Sequence, residues 1–336
     1  MKIEQIGEFE LIERLARSLN KPGAKVIVGI GDDAAVIDVG TEDYLLFTTD
    51  MLVENIHFSR QYATGYQIGW RAMAANISDI AAMGGLPGVA AVSLGVAGEA
   101  EVEWVEDLYK GMQELAAKYG VDIIGGDTVS SPQIIINIAL TGKVSISNLS
   151  LRSHAQLGDL ILVTGDFGGS AAGLEVLQKA KSEIENAEYD YVVSRHLMPD
   201  PRIDASQIIV KHPLCHALTD SSDGLASDLR NIGLASGVGA KVYATQIPIH
   251  EATKKVAEGT NKKPLEFALH GGEDYELVFT MPLDAALDVK NEVEEKLKLP
   301  ISILGEIVPK ELGITVHHPD GTTEMLTRFG YNHFIK

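Results

Sequence analysis

A mixed α/β (α+β) chain of two domains is the fold class that this sequence predicts. Three observations carry that expectation. The 336 residues are more than one hydrophobic core usually serves. Apolar runs of strand length alternate with helical stretches of three- and four-residue period. A short polar stretch without a clean period, Ser145 to Ser153, interrupts the alternation near the middle. The expected domains are therefore residues 1–148 and 149–336. A linker this short predicts domains that pack together instead of swinging freely.

The elements follow in order. Phe9, Ile12, Leu15, Ala16 and Leu19 share one helical face over Gly7 to Asn20, and Pro22-Gly23 stops the run. Val26 to Ile30 and Tyr44 to Thr48 read as buried strands. Gly31-Asp32-Asp33 and Thr49-Asp50 would then lie at strand ends, where function gathers. Gly65 to Met83 reads as a long helix that ends at Gly84-Gly85, with Asn76 and Asp79 on one face. Gly88 to Val96 reads as a strand and Val102 to Tyr119 as a helix. Strands follow at Val121 to Ile124, leading into Gly125-Gly126-Asp127, and at Gln133 to Val144. The second half restarts with a strand at Asp159 to Thr164, a glycine-rich loop, and a helix from Ala171. His317-His318-Pro319-Asp320-Gly321 reads as a hairpin turn. The loop Gly165 to Ser170 supports two readings, an anion seat at a helix N-terminus or a tight turn alone.

Composition narrows the function. Forty-seven acidic against 28 basic residues give a net charge of -19, which argues against nucleic acid as a partner. No apolar stretch approaches the ~20 residues of a membrane span. The amino terminus lacks the pattern of a signal peptide. One cysteine, Cys215, forms no intrachain disulfide, and a cytoplasmic setting is expected.

The chemistry lies in acidic clusters set among glycines and hydroxyls. These are Gly31-Asp32-Asp33, Thr48-Thr49-Asp50, Asn76-Ile77-Ser78-Asp79, Gly125-Gly126-Asp127-Thr128, Asp220-Ser221-Ser222-Asp223-Gly224 and Gly271-Gly272-Glu273-Asp274. Any one of them is ordinary turn chemistry. Repeated, they suggest one cleft. Carboxylates gathered there would repel one another unless they took up protons or recruited cations. Oxygen donors without thiolates suit magnesium, which shares ligands with phosphates. Signatures of P-loop and protein-kinase nucleotide sites are absent, and the two aspartates beside Gly29-x-Gly31 argue against a dinucleotide fold.

These clusters, in this order, resemble the thiamine-monophosphate kinase family, in the superfamily of aminoimidazole ribonucleotide synthetase. The blocks run from Gly7-Glu8-Phe9-Glu10-Leu11-Ile12 through Gly271-Gly272-Glu273-Asp274-Tyr275-Glu276-Leu277 to Gly330-Tyr331-Asn332-His333-Phe334. The resemblance implies ATP-dependent phosphorylation of thiamine monophosphate to thiamine diphosphate. It implies several Mg2+ ions at Asp33, Thr48, Thr49, Asp50, Asp79, Asp127, Asp220 and Asp223. ATP contacts are implied at Tyr109, Gly126, Asp127, Arg152 and Ser222, and acceptor contacts at His57, Glu273 and Tyr331. Asp50, Asp127 and Asp223 are the expected catalytic positions. A homodimer built through the sheet of the amino-terminal domain is implied, beside a carboxy-terminal α/β sandwich. The alternatives are another ATP-using member of the superfamily or a non-catalytic Mg-nucleotide-binding protein.

Overall fold

The computed structural model describes residues 2–19, 23–179, 189–330 and 334. The first half builds one sheet from β1 (Val26–Val28), β2 (Ala35–Asp38), β3 (Asp43–Val53), β4 (Leu86–Val96), β5 (Asp122–Ser130) and β6 (Ile135–Ser145), in the order β1-β2-β3-β6-β4-β5. Helix α1 (Gly7–Ser18) precedes it. Helices α2 (Gly65–Ala82) and α3 (Val102–Lys118) pack together, and α2 lies against β3, β6 and β4. The second half builds another sheet from β7 (Leu160–Thr164), β8 (Ala217–Asp220), β9 (Val238–Tyr243), β10 (Leu277–Met281), β11 (Ile301–Pro309), β12 (Ile314–His317) and β13 (Thr323–Met325), in the order β13-β12-β9-β11-β7-β10-β8. Its helices are α4 (Gly169–Lys179), α5 (Asp190–Leu197), α6 (Ile203–Ile209), α7 (Leu225–Ser236), α8 (Glu251–Gly259), α9 (Pro264–His270) and α10 (Leu283–Leu297).

Helix α2 is the hinge of this arrangement in the packing sense. Thr64 opens it with a capping box: its hydroxyl accepts from Gln67 N–H while the Gln67 side chain accepts from Thr64 N–H. Beyond the first turn the helix is buried almost all round. That burial needs cover on both sides, and α2 meets the first sheet on one side and β8, α5 and α6 of the second half on the other. The two halves therefore share one continuous core, to which Ile77, Ile80, Leu218 and Phe279 all contribute.

Several local expectations change. Ala35–Asp38 forms a strand that the periodicity did not single out. The strand expected at Tyr44 to Thr48 runs from Asp43 to Val53, and the one expected at Val121 to Ile124 runs on to Ser130. Thr49-Asp50 and Gly125-Gly126-Asp127 therefore lie within strands, not after them. The reason is pairing: β3 matches β6 residue for residue from Asp43↔Ser145 to Val53↔Ile135, and β5 stays in parallel register with β4 as far as Val96↔Ser130. Backbone ladders carry polar residues through a strand when both neighbours are in place. Gly126 fits because a Cβ there would collide with the Val92 carbonyl oxygen. The hairpin at His317 to Gly321 forms as expected, joining β12 to β13 with Gly321 at φ +85°.

Candidate active site

The period of two along β3 sorts its polar residues onto opposite faces. Thr48 and Asp50 face α2. Thr49 and Met51 face away from it, exposed. Thr48 Oγ1 donates to Asp79 Oδ2 from the last turns of α2, and Asp50 N–H donates to Asn76 Oδ1 at 3.2 Å. Asn76 and Asp79 thus do share one face, and it is the face that meets β3. Asp33 reaches the same place from the turn before β2, and Asp220 from the end of β8. Carboxylate oxygens of Asp33, Asp79 and Asp220 all lie within 4.8 Å of one another.

Few positive groups answer this charge. Arg152 binds Asp33 through Nη2 and, at 3.2 Å, through Nε, which also lies 3.2 Å from Thr219 Oγ1. Ser78 Oγ donates to Asp220 Oδ2 at 2.5 Å, while Asp220 Oδ1 is buried without a hydrogen-bond partner among the described residues. Burial, reinforced by Asp50, Asp220 and Asp33, pushes the Asp79 carboxyl well above its ordinary range. Burial and the Asp33 charge do the same to Asp220. Burial, then Asp223 and Asp33, push Asp50 up to about 6. Burial and Asp33 push Asp32 up to about 7. Three convergent carboxylates, one of which carries an orphaned buried oxygen, fit a hard divalent cation by donor type.

Asp50 and Asp223 also line a cavity of about 1210 Å³. Ser222, His57, Tyr62, Glu273 and Tyr275 line it too, as do the apolar Leu174, Leu177 and Val193. His57 Nδ1 accepts from Val53 N–H at 3.0 Å. Two loops build the wall. Glu273 N–H donates to Ser222 O at 2.8 Å, Tyr275 N–H to Ser221 O at 2.9 Å, and Ser221 N–H to Glu276 O at 2.7 Å. Burial would raise the Glu273 carboxyl, but the Arg71 charge and hydrogen bond outweigh it and hold it below the usual range. Glu276 is held to about 2: burial opposes, and Arg202 and Arg195 overcome it.

Of the expected site residues, the fold brings Asp33, Thr48, Asp50, Asp79, Asp220 and Asp223 to one region. Arg152, Ser222, His57 and Glu273 adjoin it. Thr49, Gly126 and Asp127 belong elsewhere. Asp127 pairs in register with Ser93, next to Asn137 and Met51, on the exposed face turned from α2 and α3, and Thr49 Oγ1 meets Asn137 there at 3.2 Å. Tyr109 packs on the core from α3 and lines no part of the cavity. Tyr331 lies outside the described residues. The helix N-terminus at α4 proves to be a seat for an anion of the chain's own: Asp274 accepts from Gly168 N–H at 2.6 Å and Ser170 N–H at 2.9 Å. Sequence reasoning missed Arg71 and His196. The available signal was an arginine inside the otherwise apolar run Trp70 to Ala75, since such a charge needs a partner when buried.

Known proteins share this architecture. Residues 31–144 match the family "AIR synthase related protein, N-terminal domain", and residues 156–317 match "AIR synthase related protein, C-terminal domain". The thiamine-monophosphate kinase of Bacillus subtilis (strain 168) is 37% identical over 334 residues, 98% of this chain and 100% of the relative. That of Aquifex aeolicus (strain VF5) is 38% identical over 282 residues, 84% of this chain and 88% of the relative. A solved structure of AaThiL complexed with AMPPCP and TMP superposes with a TM-score of 0.86 at 33% identity, covering 99% of both chains.

Proposed function

The chain belongs to the thiamine-monophosphate kinase family, and from that premise we propose that it moves the γ-phosphoryl group of ATP onto the phosphate of thiamine monophosphate, by direct in-line transfer. The observation that carries this reading is the cavity itself. Asp50 and Asp223, which adjoin the Asp33–Asp79–Asp220 cluster, share its lining with Glu273, Tyr62 and the apolar Leu174, Leu177 and Val193. An acceptor with a phosphate at one end and a heterocycle at the other spans such a site.

The acceptor is its own nucleophile. A phosphate monoester with a second pKa of ~6 is largely ionised at neutral pH, so no strong general base is needed. The barrier is repulsion: two unit charges 4 Å apart repel by roughly 4 kcal/mol at an effective dielectric of 20. Mg2+, held by Asp33, Thr48, Asp50, Asp79, Asp220 and Asp223, would neutralise that charge when bound. Arg152, already poised on Asp33, would swing its guanidinium to ATP phosphate oxygens once the carboxylate is otherwise satisfied. Ser222 joins Arg152 as a proposed nucleotide contact. Asp127 and Thr49, on the opposite face of the sheet, Gly126 beside them, and Tyr109 in α3 are proposed to contact nucleotide or its metal only with a dimer partner seated on that face. His57 and Tyr331 join Glu273 around the acceptor.

The homodimer belongs to the same proposal. Phe47, Met51, Val89 and Val129 expose apolar surface on the sheet face that carries Thr49 and Asp127. A second copy seated there would cover that face and place a partner beside the Asp127 row. The division at residue 148 and the cytoplasmic setting are proposed with it. Among the described residues no helix is long and apolar enough to cross a membrane.

The deciding experiment offers ATP and Mg2+ with thiamine monophosphate, free thiamine or an aminoimidazole precursor, and measures ADP and the phosphorylated product. Thiamine diphosphate from thiamine monophosphate alone is expected. Turnover of another acceptor in its place would transfer the reading to a different branch of the superfamily.

A further inference from the structure

The side chain of Arg71 is 3% exposed. A cation that far from water persists only when it is paired and hydrogen-bonded. Its Nη2 donates to Glu273 Oε1, and its Nη1 lies 3.2 Å from His196 Nε2. Arginine only donates, so Nε2 accepts; the imidazole is then neutral, with its proton on Nδ1. Nδ1 stands 3.0 Å from Ser170 Oγ and 3.9 Å from Glu273 Oε2. Burial and the Arg71 charge push His196 down to about 3, in keeping with that tautomer. The bonds form a relay from Ser170 through His196 and Arg71 to Glu273.

Glu273 has need of it. Its φ is +67° and that of Tyr275 is +51°, in the left-handed region that residues with a Cβ rarely adopt. The backbone bonds to Ser222 and Ser221 hold the main chain there, but they leave the carboxylate, 29% exposed and facing the cavity, without a fixed direction. Arg71 supplies that direction. It does so from α2, the helix that also carries Asp79. Eight residues separate the two, a rise of about 12 Å. One rigid element therefore carries both Asp79 of the carboxylate cluster and the arginine that holds Glu273.

We propose that Arg71 is a positioning residue for acceptor recognition, holding the Glu273 carboxylate toward the ring system of thiamine monophosphate. The inference rests on the functional reading above. A fixed carboxylate complements both a cationic thiazolium and the N–H donors of an aminopyrimidine, and the distance set by α2 keeps it clear of the phosphate.

The test is steady-state kinetics on the full-length protein, with thiamine monophosphate and ATP varied in turn. The variants are Arg71→Met, Arg71→Lys, Glu273→Gln and the double variants. Arg71→Met is expected to raise KM for thiamine monophosphate by about tenfold while KM for ATP stays unchanged. Arg71→Lys should recover part of the loss. Arg71→Met/Glu273→Gln should be no worse than Glu273→Gln alone, because the two residues act as one unit. Losses that multiply in the double variant, or equal rises in both KM values, would overturn the proposal. Should Arg71→Met fail to fold, Arg71→Lys with and without Glu273→Gln makes the same comparison. Absence of turnover in the unaltered protein would instead remove the functional reading beneath it.

Discussion

Two groups of carboxylates meet along the paired loops at residues 220–223 and 273–276, and the fold completes them in opposite ways. Glu273 has Arg71, Glu276 has Arg195 and Arg202, and Asp274 has the N–H groups that open α4. Asp33, Asp50, Asp79 and Asp220 have hydroxyls, an asparagine and Arg152. Ionisation follows the partners. Against burial, arginine partners hold Glu276 to about 2 and Glu273 below its usual range. With backbone N–H groups as its partners, burial lifts Asp274 to about 7, as Asp50 rises to about 6 and Asp79 and Asp220 go higher than usual. The lesson is that arginines hold Glu273 and Glu276 in their charged form, whereas Asp50, Asp79 and Asp220, buried together with Arg152 among them, are raised and are the carboxylates proposed to take a cation.

The sharpest way to break this comparison is to neutralise one member of each group. Asp79→Asn or Asp50→Asn should lower turnover by about 10³- to 10⁵-fold, the scale for losing a charge-neutralising part of phosphoryl transfer, and leave the fold intact. Near-normal kcat in both variants at limiting Mg2+ would end the multi-metal account. Glu276→Gln should do the reverse and act on the fold. It strands Arg195 and Arg202 in the interior, and breaking such a buried pair costs about 3–5 kcal/mol. Urea midpoints with an unchanged slope would measure it.

A third expectation concerns pH. An Asp titrates near 3.9 when unfolded, and Asp32 titrates at about 7 in the fold, with Asp79 and Asp220 also raised. The folded metal-free protein then binds more protons than the unfolded chain, so stability falls as pH rises through the folded values. Over pH 6.5 to 8 the metal-free Tm should drop. His196, depressed to about 3, adds stability as pH rises toward and just past 6.5, so in this window it contributes only a small opposing rise at the acid edge. Mg2+ should raise Tm more at pH 8 than at 6.5. An Mg2+ effect of equal size at both values would mean that the cation binds away from these carboxylates.

The alternation of strands and helices was legible in the sequence, as were the acidic clusters, because both are local patterns. The sorting of those clusters was not. Thr49 and Asp50 are neighbours in sequence, yet the pleat sends them to opposite faces, and only the full pairing of β3 with β6 fixes that. Asp127 follows it to the outer face for the same reason. The Arg71–Glu273 pair joins residues 202 apart, and no spacing rule reaches across two sheets. The loop at Gly165 to Ser170 was legible as either an anion seat or a tight turn; hydrogen bonds to its occupant Asp274, far along the chain, decide for the seat.

That occupant gives the smallest expected effect and the finest test of the contrast. Asp274 accepts from two N–H groups at the start of α4, with burial pushing it up to about 7 even so. Asparagine keeps the shape and one acceptor oxygen, but its amide would set a donor against one of the two N–H donors. Asp274→Asn should therefore cost about 1–2 kcal/mol, the scale of a lost helix cap. Because Asp274 turns away from the cavity while its neighbour Glu273 faces it, KM for thiamine monophosphate should hold while the urea midpoint falls. A KM that rose with no loss of stability would place Asp274 among the carboxylates that await a ligand, and the division drawn between the two groups would have to move.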